Sequence, residues 1–367
     1  LTDASPRRNP FVGRALAFNA RQPNFTRWSY TTGTNLGTRA FPGLAVSSTQ
    51  VWVVSRDWSG TYVIPYAFEP NFVDGGVMQN RIQLPGTNFV PVTARRGLVV
   101  NDVPHMLYPG SSPTLARTGP STWANIAGGG EVTIATDGVR LVGLTENYGP
   151  RWLTFTSPAT APLVEQVENY VGSMPPWGGL NPAGQEGAFA NAVSGTNQFV
   201  VIPTTTRLLR AYLRQGGGAW TNLTTSSPLP AEAREVRATF NGTSPVLCYV
   251  HIPTSGRQLS CSAWNGTQWN HVSDLGPGTV EALDLFTRGG ASWLTLAGGG
   301  NISVKWLRAG SGGLVASTLN GPTGVETWST PGCNSTNPES FATAQALHVL
   351  WEENCGGFNI LRLQKVE

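Results

Sequence analysis

Arginine, tyrosine and histidine side chains recur in short polar segments that separate the apolar runs of this sequence. A guanidinium donates two parallel hydrogen bonds that match a carboxylate, and a nearby tyrosine or histidine can remove an acidic proton. Gathered at one place, such groups would bind a uronic acid and take its C5 proton, so that the C4 oxygen leaves by β-elimination. The set comprises Arg95, Arg96, Tyr148, Arg151, Arg207 and His251.

His105 is a further catalytic candidate, and Asp57 and Trp58 of "SRDWSGT" are candidates for binding substrate. His105 falls at the beginning of an apolar run, away from the polar segments, unless "NDVPH" (101–105) is a loop. The alternatives are ordinary: arginines at turns face water, Tyr148 packs in a turn, and His251 caps a hairpin. Hydrolysis by two carboxyl groups is less supported, because these groups must lie within about 10 Å of each other. The carboxylates of the polar segments come from separate segments: Asp57, Glu146, Glu186 and Glu352.

A repeated pattern in the sequence determines where the polar segments lie. Residues 234–272 alternate apolar and polar residues in four runs separated by turns, which predicts a four-stranded antiparallel meander. The same pattern returns along the chain, and its apolar second run is the clearest mark of each copy. These runs lie around Trp52, His105, Arg140, Phe199, Val246, Trp293 and His348.

The last copy has three runs, and the segment "FTRWSYT" (25–31) matches the missing fourth. Pairing the two segments would remove the exposed sheet edges. We therefore predict an all-β chain forming one seven-bladed β-propeller over residues 1–367, with six or eight blades as alternatives. The blades are predicted at 42–87, 88–126, 127–172, 180–227, 228–275, 276–320 and 321–367, the last completed by 25–31.

Tryptophans and cysteines give two structural predictions. Tryptophans at one place per blade are expected to wedge between neighbouring sheets; they are Trp28, Trp123, Trp220 and Trp269. Cys248 and Cys261 flank one hairpin equally and can form a disulfide. Cys333 and Cys355 lie in a linker and a hairpin expected on the same face, where a second disulfide would join them and indicate an oxidising compartment. Four free buried thiols are the alternative.

Composition excludes several classes of protein. The 367 residues include 44 glycines, 27 prolines and 13 tryptophans, with 12% charged residues and a net charge of +3. No basic run suits nucleic acid, and no apolar stretch reaches the roughly 20 residues of a membrane helix. The first ten residues resemble the start of a mature secreted chain. Six glycosylation sequons support secretion weakly; they begin at Asn24, Asn222, Asn241, Asn265, Asn301 and Asn334.

With these features the chain resembles the secreted seven-bladed propeller polysaccharide lyases, including those that release rhamnose from a rhamnosyl-glucuronate end. The resemblance implies catalysis by histidine, tyrosine and arginine, carried here to His105, Tyr148 and Arg151, and a bound calcium. It also implies a plant-type acidic polysaccharide as partner and a monomeric chain. A secreted lectin is the competing class, although its pockets should repeat between blades, whereas these loops differ. A protein-interaction scaffold is the third.

Overall fold

The computed structural model describes 28 β-strands and their adjoining turns. The described residues are 25–34, 43–46, 50–57, 60–67, 82–83, 96–100, 102–107, 115–117, 123–125, 131–136, 141–145, 151–155, 166–169, 189–203, 208–224, 229, 233–251, 257–272, 275, 280–288, 291–310, 313–321, 326–343 and 346–366. Over these residues no helix is long and apolar enough to cross a membrane.

The strands form antiparallel sheets of four, each built from consecutive strands except the last. β1 (Phe25–Thr34) is the outer strand of the last sheet. Sheets one to three are β2 (Gly43–Val46), β3 (Gln50–Asp57), β4 (Gly60–Ala67), β5 (Ile82–Gln83); β6 (Arg96–Val100), β7 (Val103–Leu107), β8 (Leu115–Arg117), β9 (Trp123–Asn125); and β10 (Glu131–Thr136), β11 (Leu141–Thr145), β12 (Arg151–Phe155), β13 (Gln166–Asn169).

The other sheets follow the same plan. Sheets four to six are β14 (Ala190–Ser194), β15 (Asn197–Pro203), β16 (Leu209–Arg214), β17 (Trp220–Asn222); β18 (Ala233–Asn241), β19 (Ser244–His251), β20 (Gln258–Trp264), β21 (Trp269–His271); and β22 (Ala282–Arg288), β23 (Ala291–Gly298), β24 (Asn301–Gly310), β25 (Gly313–Leu319). Sheet seven contains β26 (Asn334–Ala342), β27 (Leu347–Cys355), β28 (Phe358–Val366) and β1, which pairs with β28 and sets Trp28 opposite Leu363.

The first strand of each sheet contacts the first strand of the next. The contacts run from β2 through β6, β10, β14, β18, β22 and β26, and β26 in turn contacts β2. Sheets that neighbour one another in this cyclic order are the arrangement of a β-propeller. The chain is therefore an all-β protein whose four-stranded antiparallel sheets have propeller architecture.

Gly97 shows how closely the first strands of sheets one and two approach. A Cβ atom at Gly97 would lie 2.1 Å from the backbone oxygen of Leu44. Because the obstacle is backbone, it cannot rotate away as a side chain would. The contact between β2 and β6 therefore requires glycine at position 97.

Apolar side chains fill the spaces between sheets. Trp269 of sheet five is 7% exposed, and its ring lies 6.0 Å from that of Phe199 in sheet four. The prediction that this tryptophan wedges between sheets is confirmed. Trp220 is partly buried, whereas the side chains of Trp28 and Trp123 lie outside the described set. Another cluster joins sheets one and seven through Leu44, Val46, Val51, Val53, Leu350, Leu361 and Leu363.

Both predicted disulfides are confirmed. Cys248 and Cys261 are paired residues of β19 and β20, and their Cα atoms are 4.1 Å apart. Cys333, one residue before β26, is bonded to Cys355 at the end of β27. The second bond joins the linker that enters sheet seven to the β27–β28 hairpin. No cysteine is left free.

Candidate functional site

Three predicted site residues lie where the second and third strands of their sheets meet. Asp57 ends β3 opposite Gly60, Arg151 begins β12 opposite Thr145, and His251 ends β19 opposite Gln258. Antiparallel pairing brings the end of one strand beside the beginning of the next. Each residue therefore lies at the same end of its own sheet, which we call the hairpin end.

Arg96 belongs to the same end, because it begins β6 opposite Leu107, the last residue of β7. Neighbouring first strands also run in the same direction. Two contacts between β18 and β22 show this: Leu283 N donates to Glu235 Oε1 near the beginnings of the strands, and Thr239 donates to Thr287 near their ends. The register thus places Asp57, Arg96, Arg151 and His251 at corresponding ends of their sheets.

Four of the predicted binding and catalytic residues lie outside the described residues; they are Trp58, Arg95, Tyr148 and Arg207. Only the strand positions of Asp57, Arg96 and Arg151 are described, and not their side chains. Their roles stay predictions.

His251 is the predicted catalytic residue whose side chain is described at the hairpin end. It is partly buried, its Nε2 lies 3.1 Å from Ser260 Oγ, and its ring lies 5.9 Å from that of Tyr249. Burial lowers the pKa of His251 below its usual value. The imidazole is therefore uncharged near neutral pH and can accept a proton.

His105 lies elsewhere. The alternative that "NDVPH" is a loop is wrong, because Val103–Leu107 is strand β7 and His105 is its third residue. The ring is fully buried, its Nδ1 lies 2.8 Å from Val103 O, and burial lowers its pKa to about 4. Its Nε2 has no hydrogen-bond partner within the described chain. The described geometry places the imidazole inside the sheet, where burial favours its neutral form.

A group of charged residues near the hairpin end of sheets five and six was missed by the sequence analysis. Glu235 Oε1 accepts a hydrogen bond from Leu283 N at 3.2 Å and lies 3.3 Å from Arg237 Nη2. Arg237 Nε is 3.8 Å from Asp284 Oδ1, while Asp284 Oδ2 accepts from Ser340 N at 2.8 Å. We call Glu235, Arg237 and Asp284 the inner charge cluster. It connects the first strands of sheets five, six and seven.

The sequence does contain a signal for this cluster. In "REVRATF" (234–240) Glu235 and Arg237 are two residues apart in a strand, so they share a face. Asp284 interrupts the apolar run "EALDLFT" (281–287). Charged residues inside first strands are rarely buried unless they are paired. What the sequence could not show was the pairing between strands 47 to 56 residues apart.

Burial shifts the pKa of Glu235. Burial raises the pKa of its carboxyl above the usual value, and the charge of Asp284 adds to this, against the opposing effects of Arg237, the Leu283 N–H and Arg257. Arg257, exposed immediately before β20, donates from Nη1 to Glu281 O at 3.3 Å. The hairpin of sheet five thereby contacts the residue that precedes β22.

A site for the predicted calcium is not assigned to the described residues. Within that part of the chain, one set of acidic, histidine or cysteine side chains lies close enough to share an ion: Cys333, Glu353 and Cys355. The two cysteines are bonded to each other. A single carboxylate is too few ligands for calcium, which takes six to eight oxygens.

Comparison with known proteins places the fold. No family model matches the sequence, and no curated protein matches it in sequence. Among solved structures, a family 25 polysaccharide lyase, an ulvan lyase bound to -[GlcA(1-4)Rha3S]-, is similar with TM-score 0.52 and 12% identity, over 90% of this chain and 93% of that one. The likeness extends over nearly all of both chains, and at this identity it shows the fold.

Two further structures are similar at lower scores. The N-terminal domain of Nup159 has TM-score 0.47 and 10% identity, over 94% of this chain and 97% of that one. A Trypanosoma rangeli sialidase in complex with sialic acid has TM-score 0.45 and 10% identity, over 93% of this chain and 59% of that one.

Proposed function

We propose that the seven sheets are the blades of one closed ring spanning the chain. Two observations support this: the first strands contact one another in an unbroken cycle, and β1 completes the sheet that β28 would otherwise leave open. Apolar packing between sheets one and seven supports it further. In such a ring all hairpin ends surround one central opening, so loops distant in sequence gather there.

We propose that the protein is a secreted carbohydrate-active enzyme, a lyase that cleaves the bond to the C4 oxygen of a glucuronate by β-elimination. The observation that carries the proposal is the shared register of Asp57, Arg96, Arg151 and His251 at the hairpin ends. The two disulfides suit a secreted chain. A terminal rhamnosyl-glucuronate of a plant-type polysaccharide is the substrate to test first.

The proposed roles follow from the chemistry. Arg151 binds the substrate carboxylate together with other arginines of the hairpin ends and acidifies the C5 proton. The other arginines are Arg95, Arg96 and Arg207. His251, whose lowered pKa leaves it uncharged at neutral pH, and Tyr148 are the candidates to remove that proton. Asp57 and Trp58 contact the adjoining sugar. His105 suits a proton transfer least, because its ring is fully buried.

The experiment is an absorbance assay for the 4,5-unsaturated uronate, using a glucuronate-containing plant gum or arabinogalactan. Wild-type protein should give a rising signal, and R151A should lose at least a hundredfold in kcat/KM, on the scale of a lost group that stabilises charge. R214A is the matched control, because Arg214 ends the third strand of sheet four at the opposite end. It should retain activity.

Two outcomes would count against the proposal. A flat trace combined with binding at several sites per chain on a sugar array would identify a lectin. Activity in R151A equal to that in R214A would remove Arg151 from the site. Circular dichroism of each variant separates lost function from lost folding.

A further inference from the structure

Glu235 has two carboxyl oxygens in different surroundings. Its Oε1 accepts from Leu283 N at 3.2 Å and lies 3.3 Å from Arg237 Nη2. Within the described part of the chain, Oε2 has no hydrogen-bond or ion-pair partner. The side chain is 19% exposed. One oxygen is therefore fixed by two donors, while the other can carry a proton and reach solvent or a ligand.

Burial and the charge of Asp284 favour that proton, against the opposing charges of Arg237 and Arg257. A single guanidinium, Arg237, lies between two carboxylates, Glu235 and Asp284, and the Asp284 side chain is 4% exposed. Two largely buried carboxylates that share one ion-paired guanidinium are costly in this setting. A proton on one carboxyl lowers that cost. Asp284 Oδ2 accepts a hydrogen bond from Ser340 N at 2.8 Å.

The position of Glu235 suits action at the hairpin ends. It is the third residue of β18 and pairs with Val250, next to the pairing of Ala233 with His251. Paired residues lie on one face of a sheet and successive residues alternate, so Glu235 and His251 lie on opposite faces of sheet five. Glu235 and His251 thus lie near the hairpin end of this sheet, on its two opposite faces.

We propose that Glu235 donates a proton to the leaving oxygen when the glycosidic bond is cleaved, and that Arg237 positions it. The inference rests on the proposed function and adds a residue to it. As the base takes the C5 proton, the electron pair of the C5–H bond forms the C4=C5 double bond and the C4–O bond breaks. The leaving oxygen takes the proton from Glu235 Oε2. The resulting carboxylate is stabilised by Arg237 and regains its proton from water.

The test is E235Q assayed on two substrates. Glutamine keeps the acceptor oxygen for Leu283 N and Arg237 but has no carboxyl proton. On a natural glucuronate, whose leaving group is a sugar alkoxide, kcat should fall by roughly 10²- to 10⁴-fold. On a glucuronate with 4-nitrophenoxide at C4, which leaves without protonation, the fall should be less than about fivefold.

The pH profile gives a second readout. Wild-type kcat should fall as the pH rises through the raised pKa of Glu235, because the donor is then ionised. E235Q should lack that alkaline limb. E281Q is the matched control, since Glu281 is an exposed glutamate of the same sector, and it should behave as wild type on both substrates.

The outcomes distinguish the two proposals. An equal loss on both substrates, or no loss on either, overturns the role of Glu235 while leaving the lyase proposal intact. A wild-type chain that yields no unsaturated product from either substrate overturns the lyase proposal and this assignment together.

Discussion

Replacing Glu353 of β27 by glutamine removes a buried charge that binds sheet seven to the linker before it. The carboxylate is fully buried and accepts from Thr330 N at 2.8 Å, Trp351 Nε1 at 2.9 Å and Arg362 Nε at 2.8 Å. Thr330 lies in the linker before β26, whereas Trp351 and Arg362 belong to β27 and β28. One side chain therefore holds the linker against two strands.

The expected loss follows from what glutamine cannot do. Its amide nitrogen must face one of the three donors, and Arg362, whose side chain is 14% exposed, loses its counterion. Breaking a buried ion pair by removing one partner costs roughly 3–5 kcal/mol. Because Arg362 keeps some access to water, we expect the low end, about 3 kcal/mol of unfolding free energy.

The loss should also depend on pH. Burial alone would raise the pKa of Glu353, but the hydrogen bonds from Thr330, Arg362 and Trp351 outweigh it, and the folded pKa lies below the usual value. The contribution of the carboxylate is therefore complete above its usual, unfolded pKa, and it is lost as the pH falls through the lowered folded pKa. The difference between wild type and E353Q should shrink over that acidic interval.

Urea unfolding followed by tryptophan fluorescence measures the effect. E326Q is the matched control, because Glu326 is an exposed glutamate of the same linker, and it should change stability by less than about 0.5 kcal/mol. A loss below about 1 kcal/mol in E353Q, or one that does not vary with pH, would refute the reasoning from buried charge.

Three other predictions concern packing, redox state and pH. G97A should destabilise the protein by more than about 3 kcal/mol, because its Cβ would lie 2.1 Å from Leu44 O; a melting temperature within 2 °C or so of wild type would contradict this. Mild reductant should reduce the Cys333–Cys355 disulfide before the Cys248–Cys261 disulfide, because Cys248 and Cys261 are 0% and 1% exposed whereas Cys333 and Cys355 are partly exposed. Alkylation followed by mass spectrometry measures the order of reduction, and the opposite order would contradict the prediction. The pKa of His105 is about 4 in the folded protein and about 6.5 in the unfolded chain, so the protein should lose up to about 3 kcal/mol of unfolding free energy as the pH falls between these values. H105Q, compared with wild type by urea unfolding at each pH, should lack that loss. An equal dependence on pH in both proteins would contradict the prediction.

The strands were predictable because local rules determine them. Period-two alternation and turn residues mark each hairpin, so the second-strand marks at Trp52, Phe199, Val246 and Trp293 all lie in observed second strands. Arg140 lies outside the described residues, and β11 begins at the next residue, Leu141. The disulfide between Cys248 and Cys261 followed from the same local symmetry.

Contacts between sheets were not predictable in the same way. Asp284 binds Ser340 N, and Arg237 lies between carboxylates of two strands, but no local pattern states which charged residue faces which. Glu352 was noted as a polar-segment carboxylate, yet it is 3% exposed and accepts from Asn337 Nδ2 at 3.0 Å. Burial of that kind depends on how the sheets pack together, and this packing cannot be inferred from the sequence of a single strand.

The pairing of β1 with β28 affects the order in which the protein can form. Phe25 faces Val366, so the first described strand pairs with a strand that the ribosome makes more than 300 residues later. During synthesis β1 remains unpaired while the six sheets that follow it, each contiguous in sequence, can form. Completion of the seventh is then a slow, non-local closure. An unpaired β1 in a nascent chain, or an unpaired β28 edge in a chain that lacks β1, would be the surface that chaperones or other copies encounter.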